Sequence, residues 1–280
     1  MKLHIATCKP LPEPDVDEDL LLEALAGVGV DACMVPWRDE SAFAPAVPTL
    51  IRSTWDYIHH VAEFSAWVER RSAAPLWNPA SVVRGNLHKE YLLDLAKQGV
   101  PVTPTVLVTR GSERSLLDIA MTTGWRELVV KPAVGAGSFE THRVRVADEI
   151  DEYDYRRLLT ERDLLVQRYL PSVEDHGERA LVWIAGEFTH AVRKSPRFAG
   201  GSESVSAAMG ISAAERKLGE AIIATLPADL LYARVDLAPN EHGEPVLMEL
   251  ELVEPSLFLL QEPRALRRLA NAIRDRLAVL

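Results

Sequence analysis

Apolar residues along this chain recur with two periods, and the places where the period changes mark its organisation. Short apolar runs at 3–7 (LHIAT), 30–35 and 48–53 read as buried strands. Between the first two, Leu20, Leu21, Leu22 and Leu25 recur at helical spacing, with Asp15 or Asp17 as N-cap and Gly27 as the stop. This alternation suits β-α-β units and predicts a small α/β domain over roughly the first 80 residues. An amphipathic helix over 63–71 follows, and LWNPASVV leads out of the domain. Asn86 is then placed to cap one helix, LHKEYLLDLAKQ, that ends at Gly99.

The middle of the chain turns to strands at 102–108 and 127–132 around a helix near Leu116–Met121. A strand over 141–146, a helix over 149–160 and an apolar strand over 163–170 come next. GERALVWIAGEFTHAVRKSPRFAG reads as a hairpin turning at Ala185-Gly186, and 195–208 as a polar, glycine-rich, mobile loop over a site. Ser212 and Glu215 form a capping box for a helix to Leu226. Residues 231–256 read as two strands joined by an Asn/Gly turn, and Pro263 starts a last helix to about Ala278.

Bulk properties narrow the function classes. A formal charge of -10 over 280 residues argues against a nucleic-acid or anionic-membrane surface, while local lysines and arginines can still make a pocket for a polyanionic small ligand. Cys8 and Cys33 form no metal-ligand pattern and are expected as small hydrophobes rather than a disulfide. The opening MKLHIATCKPLPEPD turns polar too soon for a signal peptide, and no stretch has the length to span a bilayer, so a cytosolic chain is expected.

Charged residues interrupt several of these strands. Asp236 breaks the first strand of the 231–256 pair, and Glu249 and Glu251, two apart, share a face of the second. Gathered near a core, three carboxylates lose solvation and repel one another unless a cation is present, and Mg²⁺ beside phosphates is a common solution. The plainer alternative places Asp236 in the turn and both glutamates on a solvated edge. Lys131 closes an apolar strand directly before Gly135-Ala136-Gly137-Ser138, a loop able to turn backbone N–H groups toward phosphate, although a ligand-free hairpin would look the same. Lys89, in the first turn of its helix, opposes the helix dipole unless an anion compensates it, or lies on a solvent face. Gln167 interrupts the 163–170 strand, as an adenine-reading amide or a buried structural one. Arg193 and Lys194 follow one another, so at most one points into a cleft unless the strand bulges. Arg52 and Asp56 lie at or just past the third strand's C-terminal end, where open α/β sheets bind ligands, or else form a surface ion pair.

Taken as a set, Lys89, Lys131 with its GAGS loop, Gln167, Arg193, Asp236 and Glu249 resemble the ATP-grasp superfamily. RSTWDY, LWNP, LVVKPAVGAG, LVQRYLP, HAVRKSP, YARVDL and MELELVEPSLF are most similar to the branch containing the D-cycloserine biosynthesis cyclo-ligase. The resemblance implies an α/β (α+β) ATP-grasp fold: an N-terminal α/β substrate-side domain at 1–84, a central lid subdomain at 85–162 and a C-terminal subdomain at 163–280. It implies ATP and Mg²⁺ as cofactors, with Lys89 and Lys131 on the phosphates under Gly135, Ala136, Gly137 and Ser138. Gln167 and the backbone of Arg168, Tyr169 and Leu170 would hold adenine, and Glu178 would lie near the ribose. Arg193 would stabilise the transferring phosphoryl group, with Lys194 as its neighbour, and Asp236 and Glu249 would bind metal. Glu251 stands where the superfamily commonly has asparagine, which leaves the number of metals open. Arg52 is the candidate for the substrate carboxylate, with Asp56 or Glu254 for a substrate ammonium.

The implied activity is a carboxylate–amine ligase that makes an acyl phosphate from a small amino-acid-like substrate and passes the acyl group to an amine. Joining two molecules is the first expectation. Ring closure of an O-ureidoserine-like substrate is the second, and a non-catalytic ATP-binding protein is the alternative from another class. Ligases of this kind are commonly homodimers, though no surface pattern here marks an interface.

Overall fold

The computed structural model describes residues 1–195 and 204–280. In its first unit, β1 (Lys2–Thr7), α1 (Glu18–Gly27), β2 (Asp31–Pro36), β3 (Thr49–Ile51), α2 (Val61–Arg71), β4 (Leu76–Trp77) and α3 (Ala80–Leu87) follow in order. The four strands make a parallel sheet ordered β2-β1-β3-β4. A 3₁₀ turn at Trp55–His59 carries the chain away from β3. Cys8 and Cys33 are both free.

The second unit holds α4 (Tyr91–Lys97), β5 (Thr105–Val108), α5 (Leu116–Thr123), β6 (Glu127–Pro132), β7 (His142–Arg145), α6 (Glu149–Glu161) and β8 (Leu164–Arg168). Its antiparallel sheet is ordered β5-β8-β6-β7. Because β8 lies between β5 and β6, this sheet runs past the boundary expected at 162. The helix expected to start at Asn86 is instead two helices, broken at residues 88–90. Asn86 ends the first of them rather than capping the second. Its amide bonds Leu250 O at 2.9 Å and Leu252 N at 2.8 Å, so it satisfies backbone groups of another subdomain. The break leaves Lys89 between two helix ends.

The third unit holds α7 (Ser172–Asp175), β9 (Glu178–Ile184), β10 (Glu187–Lys194), α8 (Ala213–Ile223), β11 (Tyr232–Pro239), β12 (Pro245–Glu251) and α9 (Pro263–Ala278). Its antiparallel sheet is ordered β10-β9-β11-β12. The Ser212–Glu215 capping box closes the start of α8. Most of the loop expected over the site falls on residues 196–203, outside the described residues.

Alternation divides this sheet's two faces between two cores. Leu181, Trp183, Val235, Leu237, Leu247 and Leu250 join a core with Leu92 and Leu95 of α4, Leu218 and Ile222 of α8, and Leu165 of β8. Ala180, Val182, Ile184, Val192 and Tyr232 join the core of the first unit with Leu3, Ile5, Leu50 and Leu269. Among the described residues, no helix is long and apolar enough to cross a membrane.

Asn78 joins the first unit to the third. With no exposed surface, its amide nitrogen donates to Tyr232 O at 2.9 Å and Leu252 O at 2.7 Å, and its oxygen accepts from Leu231 N at 2.8 Å. Asn78→Ala would leave several buried backbone groups without partners, at about 1–3 kcal/mol each. The expected loss is about 3 kcal/mol or more in denaturant unfolding. A loss below about 1 kcal/mol would show that water replaces the amide.

Candidate active site

Each hairpin of the third sheet contains one irregularity, and together these decide which residues share a face. In β9–β10, Phe188 opposes Trp183 but His190 opposes Val182, so Thr189 is the extra residue. A regular hairpin would set Glu178 opposite Arg193. The bulge instead sets Lys194 opposite Glu178, and Arg193 opposite Arg179 on the other face. In β11–β12, Leu237 opposes Leu247 but Asp236 opposes Glu249, so Met248 is the extra residue. Without it, Glu249 and Glu251 would face the opposite side of the sheet from Asp236.

On the resulting face each strand changes from apolar to charged residues along its length. Ile184, Val182 and Ala180 lead to Glu178; Val192 leads to Lys194; Tyr232 leads to Arg234 and Asp236. Glu249 and Glu251 lie opposite Asp236 and Arg234 on β12. Lys89 Nζ reaches Glu249 Oε1 at 3.0 Å and donates to Gly135 O at 2.5 Å. Lys131 Nζ lies 3.4 Å from Glu249 Oε2. Lys194 Nζ is 2.5 Å from Asp236 Oδ2 and 3.2 Å from Glu178 Oε2. Arg234 donates twice to Asp236, each time at 2.9 Å, and also pairs with Glu251.

The charges therefore balance from within: Glu178, Asp236, Glu249 and Glu251 against Lys89, Lys131, Lys194 and Arg234. Among the described residues, no group of three or more His, Cys, Asp or Glu side chains is arranged to hold a metal ion. The cation that the carboxylates demand is, in this arrangement, supplied by the chain's own side chains. Burial opposes the charge on Glu249, but Lys89 and Lys131 overcome it and hold its pKa at about 2. Burial likewise opposes Asp236, and Arg234 and Lys194 hold it below the usual carboxylate range. Lys194 is disfavoured by burial and by Arg234, yet Asp236 and Glu178 keep it firmly protonated. Glu251 is pushed up to about 7 by burial, against the pull of Arg234 and with the help of Asp236 and Glu249.

Two expected residues sit differently from the sequence reading. Arg193 is exposed, and its backbone N–H bonds Ser206 Oγ at 3.0 Å, while buried Lys194 occupies the cluster. Gly177 helps to hold Lys194 in place: at φ 70° it packs so tightly that a Cβ would lie 2.6 Å from Lys194 O. At the proposed adenine end, Gln167 is buried on the same face of its sheet as Lys131, and donates to Thr105 Oγ1 at 2.9 Å. The N–H groups of Arg168 and Tyr169 already bond Pro104 O and Glu127 O, so these two donors are not free for a base. Arg168's side chain pairs with Glu241 at the surface, and Leu170 is buried. In the glycine loop, Gly137 and Ser138 both have positive φ, and Phe139 meets the His59 ring of the first unit.

The substrate-side candidates form a second group. Arg52 is only 3% exposed, and its Nη1 has no hydrogen-bond partner. Among the described residues, no carboxylate lies within ion-pair distance of it, and its guanidinium rests 5.6 Å from the centre of the Tyr232 ring. Asp56, by contrast, already accepts a 2.6 Å hydrogen bond from Trp37 Nε1. Glu254 is buried, with its backbone O accepting from Trp55 Nε1 at 3.1 Å. Burial, and then the charge of Glu251, push its carboxyl up to about 8. Sequence reasoning passed over Arg234, although its two-residue spacing from Asp236 places both on one face. The strand pattern left Arg193 and Lys194 open and the family resemblance chose Arg193, while the Thr189 bulge that brings Lys194 to the cluster has no strong sequence signal.

The D-cycloserine synthetase DcsG N-terminal domain family matches residues 3–78. The chain is 33% identical over 288 residues to the cycloserine biosynthesis protein DcsG of Streptomyces lavendulae, covering 94% of each. The crystal structure of D-cycloserine synthetase DcsG superposes with a TM-score of 0.88 at 32% identity, over 99% of this chain and 100% of that one. A RimK-domain ATP-grasp protein from Sphaerobacter thermophilus shares the fold at 20% identity, with a TM-score of 0.70 over 98% of both chains.

Glu254 gives a stability signature with a defined sign. Its proton is held in the folded state up to about pH 8 but released by an unfolded chain near the ordinary 4.5. The stability that protonation contributes is thus full below pH 4.5 and is lost as pH rises to about 8. Glu254→Gln keeps the neutral shape and removes this loss. Its melting temperature should exceed that of the parent by a margin that grows from pH 5 to pH 8.5. An equal margin at both pH values would contradict the burial argument.

Proposed function

Since the chain belongs to the D-cycloserine synthetase branch of the ATP-grasp ligases, we propose that this ligase uses ATP and Mg²⁺ to close a small amino-acid-like substrate into a ring. The sequence placed intermolecular joining first. Similarity to DcsG, a cycloserine biosynthesis protein, in sequence and over nearly the full length in structure, favours the intramolecular reaction on an O-ureidoserine-like acid.

The observation that carries this reading is the convergence of Lys89 and Lys131, from separate elements, on the two oxygens of Glu249 beside the glycine loop. Two ammonium groups held by one carboxylate are poised to exchange it for phosphate oxygens. Glu249, once released, and Asp236 across from it offer only oxygen donors, which suits Mg²⁺, an ion that keeps waters and phosphate as its remaining ligands. Bound there, Mg²⁺ would neutralise charge on the phosphates. Gly135 to Ser138 would cover the phosphates, and Gln167 would lie toward the base. Glu251, paired with Arg234, is the least available of the three carboxylates.

The chemistry requires positioning and charge more than covalent help. Arg52, buried and lacking an anion, would hold the substrate in the first unit, with Glu254 opposite for its ammonium group. A substrate carboxylate oxygen attacks the γ-phosphorus, the bond to ADP breaks, and an acyl phosphate forms. A nitrogen of the same molecule then attacks the acyl carbon, phosphate leaves, and the nitrogen gives up a proton. Lys194 and Arg234 face the space where negative charge builds, and Lys194 takes the part that the sequence reading gave to Arg193. Closure of the site keeps water from the acyl phosphate.

The test is ADP and phosphate release with Mg²⁺ and ATP against amino acids, dipeptides and O-ureidoserine, with mass detection of products. One acid should stimulate turnover and give a product of its own skeleton formed without a second amine. Lys131→Met should lower kcat/KM by about a hundredfold or more. A product joined from two molecules would favour the linear reaction. Nucleotide binding that no acid stimulates would favour a non-catalytic binding protein.

A further inference from the structure

Tyr232 lies fully buried at the start of β11, below the charged level of the face. Its hydroxyl is 2.8 Å from Ile51 O and 2.7 Å from Val253 O, with Trp77 O further off at 3.4 Å. Ile51 immediately precedes Arg52, and Val253 immediately precedes Glu254. One phenol oxygen thus ties the backbone one residue before each of the two charged substrate-side groups. The same ring supports the Arg52 guanidinium, which makes no hydrogen bond of its own among the described residues. Asn78 in turn grips both the N–H and the carbonyl of Tyr232, at 3.4 and 2.9 Å.

A hydroxyl carries one proton and can donate to one carbonyl at a time. Arranging several acceptors around it is justified if their spacing matters. Burial, against the opposing influence of Arg52, keeps this phenol protonated well beyond the ordinary range. We infer that Tyr232 is a positioning residue that sets the distance between Arg52 and Glu254, and so the span between ammonium and carboxylate that the site accepts in a zwitterionic amino acid. This rests on the reading above that Arg52 and Glu254 hold the two charged ends of the substrate.

The physical consequence is selectivity rather than chemistry. Misplacement of a binding group by about 1 Å costs up to about a hundredfold in reactions that depend on orientation. An extra methylene in a fitted pocket is discriminated by about 10–200-fold. Loosening the tether should therefore raise KM for the acid and flatten the preference between acids that differ by one carbon. ATP contacts neither tethered segment in this reading, so nucleotide affinity should not change.

The experiment compares the parent protein with Tyr232→Phe, which keeps the ring and removes only the oxygen. O-ureidoserine and its β-amino homologue, in which one extra carbon separates the ammonium from the carboxylate, serve as acids, and ATP affinity is measured by calorimetry. Tyr232→Phe should raise KM for the shorter acid about tenfold, leave kcat within about twofold, and reduce discrimination between the two acids about tenfold. Its affinity for ATP should equal that of the parent. Arg52→Met runs in parallel. If Arg52→Met leaves acid KM unchanged, the underlying placement of the substrate fails. If Arg52→Met raises it while Tyr232→Phe does not, the placement stands and the role of Tyr232 is overturned. A Tyr232→Phe protein that does not fold, or that loses ATP and acid affinity together, makes the hydroxyl a structural tether and overturns the inference as well.

Discussion

Strand register is the constraint on which this site depends. A one-residue slip in a β-strand carries every side chain to the other face. Both hairpins of the third sheet contain one such slip, at Thr189 and at Met248. Beyond the bulges, the shifted register gathers Lys194 with Glu178, and Glu249 and Glu251 with Asp236 and Arg234. The core and the site thus place different demands on the same strands, and the bulges let each hairpin meet both. A protein held to regular hairpins would have to bury Glu249 and Glu251 among Val235, Leu237 and Leu247, where they would lack partners.

The charge cluster is stable without ligand because it is closed on itself. Each carboxylate has a cation, and each cation has a carboxylate. Such pairing is weak evidence for stability, since desolvation offsets much of the attraction. It does explain how so much charge can be held in place between turnovers. In the proposed mode a triphosphate with its metal would bring both signs together, letting lysines leave carboxylates for phosphate while carboxylates turn to metal, so that the total charge of the site would change little. Glu251 fits this view. A carboxylate where asparagine is usual would add charge near the phosphates, but Arg234 already answers it.

Much of the fold was legible because periodicity and stop signals agreed. The strand before PLPEPD, the Ser212–Glu215 capping box and the helix from Pro263 all stand where the sequence placed them. Asn86 was misread because an asparagine before a leucine-rich run looks like a helix cap; its partners are backbone groups of β12, some 160 residues away, which no local pattern reveals. Likewise β8 was assigned to the following subdomain, since its neighbours in sequence do not show that it inserts between β5 and β6. At the site, Asp236, Glu249 and Lys131 were visible as charges in apolar strands, and Lys89 as a lysine opposing a helix dipole. Lys194 and Arg234 were not given their due. One depends on a bulge, and the other lay hidden in plain alternation beside a residue already chosen.

Arg52 and Glu254 differ from the cluster in kind. The cluster satisfies itself, whereas Arg52 is buried with no ion pair among the described residues and Glu254 is buried with its proton retained to about pH 8. An unpaired buried charge is expensive, and folding alone gives no reason to keep one. In the proposed binding mode a substrate carboxylate would give Arg52 its counter-charge, and a substrate ammonium would favour the ionised form of Glu254. That preference for a zwitterion is useful only if the two groups stay at a fixed separation, because a flexible pair would accept any span between the charges. Rigidity must then come from neutral groups that do not compete for the charges. A phenol bonded to backbone carbonyls, held in turn by an asparagine amide, meets that requirement. The selectivity of the site would in this way be built from hydrogen bonds that never touch the substrate.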